Sequence, residues 1–145
     1  MQKYSVTELS KVFGKTLRDF MREMYDWEVK YYQKSIEALG GDSSEVDLEE
    51  VMREDLLKIF RKFVLPGGRN YDRVESLVCG RCPEYDEKND QVEVVEVNQK
   101  KIAVVIKKTK GLAALFRLTF AVDKGVIMVS GRDLQSGRNW QETYI

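Results

Sequence analysis

The sequence contains no histidine. This absence removes the side chain that most often serves as a general base near neutral pH, and also the commonest metal ligand. Ser-His-Asp triads, Cys-His pairs and zinc sites that include histidine are therefore excluded. An isomerase site built from tyrosine and aspartate is not excluded.

An excess of charge of one sign and long apolar runs are also missing. Lys+Arg and Asp+Glu both number 24, and no basic run exceeds two residues. A protein that follows a phosphate backbone needs a positive surplus or stripe, so no nucleic-acid partner is predicted. The N-terminal segment has no apolar centre of a secretion signal, and no stretch is long enough to cross a bilayer. We therefore predict a cytoplasmic protein without a membrane partner.

Cysteine is scarce as well, with only Cys79 and Cys82, which form a C-x-x-C motif. A redox dithiol, its thiolate stabilised by Arg81, is one hypothesis, but that motif usually opens a helix in a βαβ unit. A zinc site would need two more ligands of the cysteine or histidine type. The favoured interpretation is two incidental thiols in a reducing compartment, with no metal and no cofactor.

The length of 145 residues predicts a single domain over residues 1–145. Its first half has helical periodicity, and one long helix is predicted over residues 8–39. Its main apolar stripe comprises Phe13, Leu17, Phe20, Met24, Trp27 and Tyr31. A second stripe comprises Met21, Tyr25, Tyr32, Ile36 and Leu39. Two stripes predict a wide buried face, wrapped by other elements, before Gly40-Gly41 ends the helix.

A second helix is predicted from an N-cap at Asp47, with Glu50 three residues later. The residues predicted to form its buried side are Val51, Leu56, Ile59, Phe60 and Phe63. Between Tyr71 and Tyr85, the apolar residues fit either one helical turn or a short strand. We therefore predict no further long helix after the second one.

From Asp90 onward the apolar period changes from 3.6 to 2, which predicts hairpin-linked strands. Asp123-Lys124-Gly125 is typical of a hairpin turn, and a last strand is predicted within residues 140–145. Ile102 to Ile106 is apolar on both faces, so we predict that this strand is central. Helices followed by strands indicate an α+β fold, with two helices packed on a curved antiparallel sheet.

This order, with Pro83-Glu84-Tyr85-Asp86 and the segment from Gly125 to Trp140, resembles the nuclear transport factor 2-like (SnoaL-like) cone fold. More narrowly, the chain is similar to immunity proteins of bacterial polymorphic toxin systems. The resemblance implies a protein that binds a cognate toxin and blocks it, and that is not an enzyme. Because a fold does not fix a function, two alternatives stay open. One is a small-ligand isomerase or polyketide-cyclase-like enzyme, and the other is a homodimeric scaffold.

The enzyme alternative would place a carboxylate and a tyrosine inside an apolar cavity. Asp26 and Tyr85 are its conceivable members, although Asp26 beside Arg22 and Lys30 fits a solvated helix face better. Trp27, Tyr31 and Tyr32 are candidates for lining a pocket, and at helical spacing they also fit a packed core. This alternative therefore depends on whether these side chains share one cavity.

The predicted partner-binding residues lie in two places. An acidic stretch comprises Asp42, Glu45, Asp47, Glu49, Glu50, Glu54 and Asp55, opposed there only by Arg53. Such a patch would steer a basic partner, of which Asp42, Glu45, Glu49 and Glu50 are the predicted contacts, although acids are also common at a helix start. Arg132 and Trp140 near the end of the chain are residue types that anchor interfaces.

Overall fold

A computed structural model describes residues 6–39, 45–111 and 114–145. The helices are α1 (Val6–Leu39), α2 (Glu45–Phe63) and the single turn α3 (Asp72–Glu75). The strands are β1 (Gln91–Val97), β2 (Lys101–Lys107), β3 (Leu115–Asp123), β4 (Val126–Ser136) and β5 (Asn139–Thr143). They form one curved, open antiparallel sheet in the order β1-β2-β3-β4-β5, which confirms the α+β prediction. In the part of the chain described, no helix combines the length and apolarity that a bilayer crossing needs.

The main stripe of α1 forms the centre of the core, as predicted. All six of its side chains are buried, and Phe20 and Tyr31 are completely enclosed. Phe20 packs edge-on against Phe63 of α2 at 5.7 Å and Tyr85 at 5.1 Å between ring centroids. The sheet supplies the opposite wall of this core through Ile102, Val104, Ile106, Phe116, Leu118, Phe120, Ile127 and Val129. One ring therefore joins α1, α2 and the segment that precedes the sheet.

The second stripe of α1 is not buried as predicted. Only Met21 is enclosed, whereas Ile36 is 46% exposed, Leu39 is 80% exposed, and Tyr25 and Tyr32 are half-buried. None of residues 32–39, all of which the structure describes, has a buried side chain. At 1.5 Å per residue, this final part of α1 extends about 12 Å past its last buried residue. The wide-face prediction is wrong because the last two turns of α1 lie beyond the core.

Helix α2 begins at Glu45, two residues before the predicted start. Leu56, Ile59, Phe60 and Phe63 are buried as predicted, but Val51 is 51% exposed and Met52 is buried instead. Each helical residue is rotated by about 100° from its predecessor. Because Met52 continues the row of buried residues by a step of four before Leu56, the preceding Val51 is turned to solvent. The short α3 resolves the ambiguous segment as one helical turn.

The predicted central strand, β2, lies second in the sheet, and the central position belongs to β3. Strand β2 is nevertheless paired on both sides, and Ala103 on its outer face is only 2% exposed. The β3–β4 turn is confirmed: Lys124 and Gly125 have φ of 50° and 80°. Two positive φ angles in a two-residue loop are typical of a type I′ hairpin turn.

Two irregularities change the register of the sheet. The β3–β4 pairing shifts between Thr119 and Phe120, so that Ser130 is the extra residue on β4. A second shift lies in the β1–β2 pair between Val94 and Glu96. An extra residue reverses which face the following side chains occupy. The β3–β4 bulge therefore decides the orientation of everything on β4 after Ser130.

A buried ion pair anchors the chain where it enters the sheet. Lys108 Nζ lies 2.7 Å from Asp90 Oδ1 and 2.9 Å from Oδ2, with side-chain exposures of 10% and 1%. Asp90 also accepts a hydrogen bond from the backbone N–H of Asp86. The pair joins the segment before β1 to the end of β2.

Candidate interaction surface

The acidic stretch is only partly a free surface. Glu49 and Glu50 are exposed on the first turns of α2, as are Asp47 and Glu54. Among the described residues, these four carboxylates form no ion pair. Asp42 lies outside the described residues, and Glu45 begins α2 with a side chain that is also outside them. Between residues 47 and 54 the structure thus leaves four carboxylates open to solvent.

Asp55, the last acid of the stretch, is paired with other residues of the same chain. It accepts a hydrogen bond from the Tyr31 hydroxyl and lies 3.6 Å from Lys30 Nζ and 3.8 Å from Lys58 Nζ. The hydrogen bond from Tyr31, helped by the two ammonium groups, holds the pKa of the Asp55 carboxyl below its usual value. Asp55 therefore joins α1 to α2 and adds little to an outward negative field.

Arg132 does not lie on an accessible surface, contrary to the prediction. It is 8% exposed, with its guanidinium carbon 4.3 Å from the ring centroid of Phe116 and 5.7 Å from that of Tyr85. Its Nη1 donates to the backbone oxygen of Tyr144 at 3.2 Å and lies 3.5 Å from Glu84 Oε2. The side chain fills the space between the sheet and the segment before β1, so we assign it a structural role.

Trp140 lies half-exposed on β5, next to a residue that the sequence reasoning missed. Arg117 of β3 places its guanidinium carbon 4.7 Å from the indole centroid. The same group donates to Asp133 Oδ2 at 3.0 and 3.3 Å, which fixes its plane. The sequence gives little indication of the Arg117–Asp133 pair, because these two residues lie opposite each other only as a result of the β3–β4 bulge. Trp140, Arg117 and Asp133 together form a partly exposed cluster on the outer face of the sheet.

The two proposed members of an enzyme site are kept apart. Tyr85 is 1% exposed and its hydroxyl donates to the backbone oxygen of Ile145 at 3.1 Å. Burial raises the pKa of Tyr85 above its usual value. Asp26 is exposed on the outer side of α1. Because one group is enclosed and the other faces solvent, they do not share a cavity.

The candidate pocket aromatics are core residues. Trp27 is 4% exposed and its indole N–H donates to the backbone oxygen of Met52 at 3.0 Å, while Tyr31 is wholly buried. Their centroids are 5.8 Å apart, in a tilted contact. Tyr32, by contrast, is half-exposed. The packed-core interpretation therefore describes Trp27 and Tyr31, and Tyr32 lies outside that packing.

A cavity of 210 Å³ lies on the outer side of α1. It is lined by Arg22, Tyr25, Asp26, Asp86, Glu87 and Lys88. Arg22 donates to both oxygens of Glu87 at 3.1 and 3.2 Å, which closes one side. Apart from Tyr25, all of the lining residues carry charged side chains, and neither Tyr85 nor Trp27 is among them, so this cavity is not the pocket that the enzyme alternative requires.

The structure favours incidental thiols at the C-x-x-C motif. Cys79 is half-buried, and burial raises the pKa of its thiol to about 11, with the nearby Glu28 carboxylate adding to the shift. A redox-active thiol needs the opposite shift. No group of three or more possible metal ligands occurs among the described residues.

Alkylation provides a direct test of this assignment. At pH 8, a pKa of about 11 leaves only about a thousandth of Cys79 as thiolate, so the exposed Cys82 should be alkylated by iodoacetamide well before Cys79. Trypsin cleaves after Arg81 and places the thiols on separate peptides, which mass spectrometry can quantify over time. In denaturant the two rates should converge. Faster modification of Cys79 in the native protein would restore the redox hypothesis.

Glu28 is a second residue that the sequence reasoning missed. It lies on α1 with 4% exposure, and its carboxylate accepts hydrogen bonds from the backbone N–H of Gly80 at 3.0 Å and of Glu84 at 2.9 Å. Burial raises the pKa of this carboxyl, while the two backbone donors oppose the shift. Glu28 therefore holds the segment of residues 80–84 against α1 and has a structural role.

Two comparisons with known proteins give the same result. A family described as "NTF2 fold immunity protein" matches residues 12–140. The protein named "Immunity protein RhsIA" from Dickeya dadantii (strain 3937) is 30% identical over 114 residues, covering 79% of each chain. No solved structure matches the chain at a significant level. The matched range runs from Val12 on α1 to Trp140 on β5.

Proposed function

Because this chain belongs to the NTF2 fold immunity protein family, we propose that it binds a cognate bacterial toxin domain and neutralises it by stoichiometric occlusion. The toxin belongs to a polymorphic toxin system, and the protein acts in the cytoplasm of the cell that it protects. It carries out no chemical step and needs no cofactor. The degree of protection should then be proportional to the amount of toxin–immunity protein complex.

The run of exposed carboxylates on α2 is the observation that carries the binding mechanism. Asp47, Glu49, Glu50 and Glu54 are solvent-exposed and, among the described residues, free of ion pairs, although the chain as a whole has zero net charge. A local field of one sign accelerates the approach of an oppositely charged surface. Exposed acids in the first turns also interact favourably with the helix dipole, so they stabilise α2 as well. We propose that the partner surface is basic.

The arrangement of polar groups supports binding over catalysis. Asp26 and Tyr85 are separated by burial, and Trp27 and Tyr31 fill the core instead of lining a pocket. The tight packing of α1 on the sheet leaves the surface as the place where a partner is met. Trp140, with the guanidinium of Arg117 over its ring, is the second proposed contact, because such residues contribute strongly to interfaces.

Reversing the acidic stretch should slow association. In the Glu45→Lys, Glu49→Lys, Glu50→Lys variant, we expect the association rate with the cognate toxin domain to fall about tenfold or more at low salt, with less effect on dissociation. Raising ionic strength should reduce the wild-type rate towards that of the variant, because exposed charges are screened within about 10 Å at 0.1 M. Surface plasmon resonance with a catalytically inactivated toxin at two salt concentrations measures both rates.

A charge-matched control separates a local field from net charge. Glu93→Lys, Glu96→Lys, Asp123→Lys reverses the same number of acids, all three of them exposed, on the sheet side of the molecule. This control should retain most of the association rate, and equal rates in all variants and salts would remove the acidic stretch from the mechanism. Titration of toxin activity tests occlusion itself: an end point near one to one is expected. Protection by a small fraction of an equivalent would mean turnover and would refute the proposal.

A further inference from the structure

The cavity of 210 Å³ on the outer side of α1 lies between that helix and the turn that follows Tyr85. We call it the outer cavity, with Arg22, Tyr25 and Asp26 on the α1 side and Asp86, Glu87 and Lys88 on the other. A space of about 150 Å³ holds a benzene-sized group, whereas pockets for drug-sized ligands measure about 300–1,000 Å³. The outer cavity therefore has room for one long side chain of a partner and not for a larger ligand.

The wall opposite α1 is held in place by the chain itself. Asp86 Oδ1 accepts hydrogen bonds from the backbone N–H groups of Lys88 at 3.2 Å and Asn89 at 3.3 Å, and its Oδ2 accepts one from the Asn89 side chain at 2.8 Å. The backbone N–H of Asp86 donates to Asp90, whose carboxylate forms the buried ion pair with Lys108. A preformed wall reduces the conformational entropy that is lost when a ligand binds.

Carboxylates outnumber cations in the lining by three to two. Asp86 is bound within its own turn, and Glu87 accepts two hydrogen bonds from Arg22. The carboxylate of Asp26, in contrast, forms no ion pair or hydrogen bond with the part of the chain that the structure describes. The hydrogen bond to Glu87, helped by the charges of Glu87, Asp19 and Asp26, raises the pKa of Arg22 above its usual value. The lining is therefore negative on balance, and Asp26 is its unpaired charge on α1.

The ring of Tyr25 indicates which cation fits. Tyr25 is half-buried and precedes Asp26, so the outer cavity combines an aromatic surface with a carboxylate that has no partner. A guanidinium is planar, so it can lie on an aromatic ring while its N–H groups donate to a carboxylate, whereas an ammonium is a strongly hydrated point charge. The same arrangement occurs within this protein, where Arg117 lies over Trp140 and donates to Asp133.

An acidic group is the competing occupant, and the lining opposes it. Such a group would need the cations of Arg22 and Lys88, but Arg22 already donates to Glu87 at 3.1 and 3.2 Å. Asp26 would also repel a second negative charge. A guanidinium meets a like charge mainly at Lys88, whose exposed side chain can stay in solvent. The charge pattern therefore favours a basic occupant.

We infer that the outer cavity receives an arginine side chain of the toxin, whose guanidinium lies on the Tyr25 ring and donates to Asp26. This inference rests on the proposed function and adds one specific contact to the general attraction of a basic partner. Arginine is among the residues that dominate binding energy, and such residues act where they fill pockets on the partner. Because the contact forms after encounter, it mainly determines how long the complex lasts.

The test removes the charge of Asp26 and keeps the shape of its side chain. In Asp26→Asn, dissociation of the catalytically inactivated toxin domain should accelerate at least about tenfold, while the association rate stays within about threefold. Asp19→Asn is the matched control: it removes the same charge from α1, but Asp19 is paired with Lys15 and does not line the outer cavity. The control should dissociate at the wild-type rate. Both side chains lie on the surface of α1, so thermal melting should show both variants folded.

A double-mutant cycle identifies the arginine. Each surface arginine of the toxin domain is changed to alanine, and each toxin variant is measured against the wild type and Asp26→Asn. For one arginine, the effect of Asp26→Asn on dissociation should fall below about twofold, because the partner of the carboxylate is already missing. Independent effects for every arginine would contradict the inference.

Lys88→Gln separates a basic occupant from an acidic one. With an arginine in the outer cavity, this change removes a like charge and should slow dissociation about twofold. If Lys88→Gln accelerates dissociation and Asp26→Asn does not, the occupant is acidic and the inference is overturned. If the wild type binds and Asp26→Asn dissociates at the wild-type rate, the outer cavity lies outside the interface and the inference is wrong, while the proposed function stands. If the wild type binds no toxin domain, the proposed function fails and the inference fails with it.

Discussion

Replacing Asp90 with alanine should lower the free energy of unfolding by about 3–5 kcal/mol. The substitution leaves the Lys108 ammonium in a site where its side chain is only 10% exposed, without its carboxylate partner. It also removes the acceptor of the Asp86 backbone N–H. Urea denaturation followed by circular dichroism measures the loss.

The double variant Asp90→Leu, Lys108→Met is the control for this effect. Removing both charges together eliminates the isolated buried ammonium, so much of the stability lost in Asp90→Ala should return. Destabilisation of the double variant equal to that of Asp90→Ala would show that the carboxylate acts mainly through the Asp86 hydrogen bond. A loss below about 0.5 kcal/mol in Asp90→Ala, the range of ordinary surface changes, would mean that the pair is solvated.

Phe20→Ala should destabilise the protein by about 3–5 kcal/mol, because it leaves a cavity where the ring is completely buried. The ring touches both Phe63 and Tyr85, so neither α2 nor the segment before β1 can relax into the space alone. Val12→Ala on the same helix, at 47% exposure, should change stability by no more than about 0.5 kcal/mol. Denaturant titrations of both variants provide the comparison, and similar losses at the two sites would contradict the assignment of the core face.

The parts of the fold that sequence could predict are those governed by local periodicity. The main stripe of α1 and the Lys124-Gly125 turn were both confirmed, since spacing along a helix and positive φ angles in a turn depend on neighbouring residues. The position of β2 could not be obtained this way. Its two apolar faces show that it is paired and covered on both sides, but they do not show how many strands follow.

Arg132 shows why a side chain's face was not predictable. Counting back from the Lys124-Gly125 turn in a regular hairpin places Arg132 opposite Arg117, on the outer face. The extra residue at Ser130 instead pairs Arg117 with Asp133 and turns Arg132 into the core. A bulge of one residue has no strong sequence signature here. The predicted interface anchor thus became a buried structural residue.

The second stripe of α1 failed for a different reason. Ile36 and Leu39 have the spacing of buried residues, and the sequence alone does not indicate whether such a face packs within its own chain or against another. The length of α1 beyond Tyr31 decides the matter, because no other described element reaches it with a buried contact. In the acidic stretch, Glu49 and Glu50 are exposed on α2, whereas the pairing of Asp55 with Tyr31 could not be predicted from the sequence.

Strand β1 has a consequence for how the protein behaves when it is crowded. It is an edge strand whose seven residues are all exposed, including Val92, Val94, Val95 and Val97. Such a row of β-forming side chains along the edge of the described sheet is a template for cross-β aggregation. The bulge between Val94 and Glu96, with the charges of Glu93 and Glu96, interrupts the flat edge that a growing fibril needs. We therefore expect the charged side chains at positions 93 and 96, which have no part in the core, to limit association through this edge.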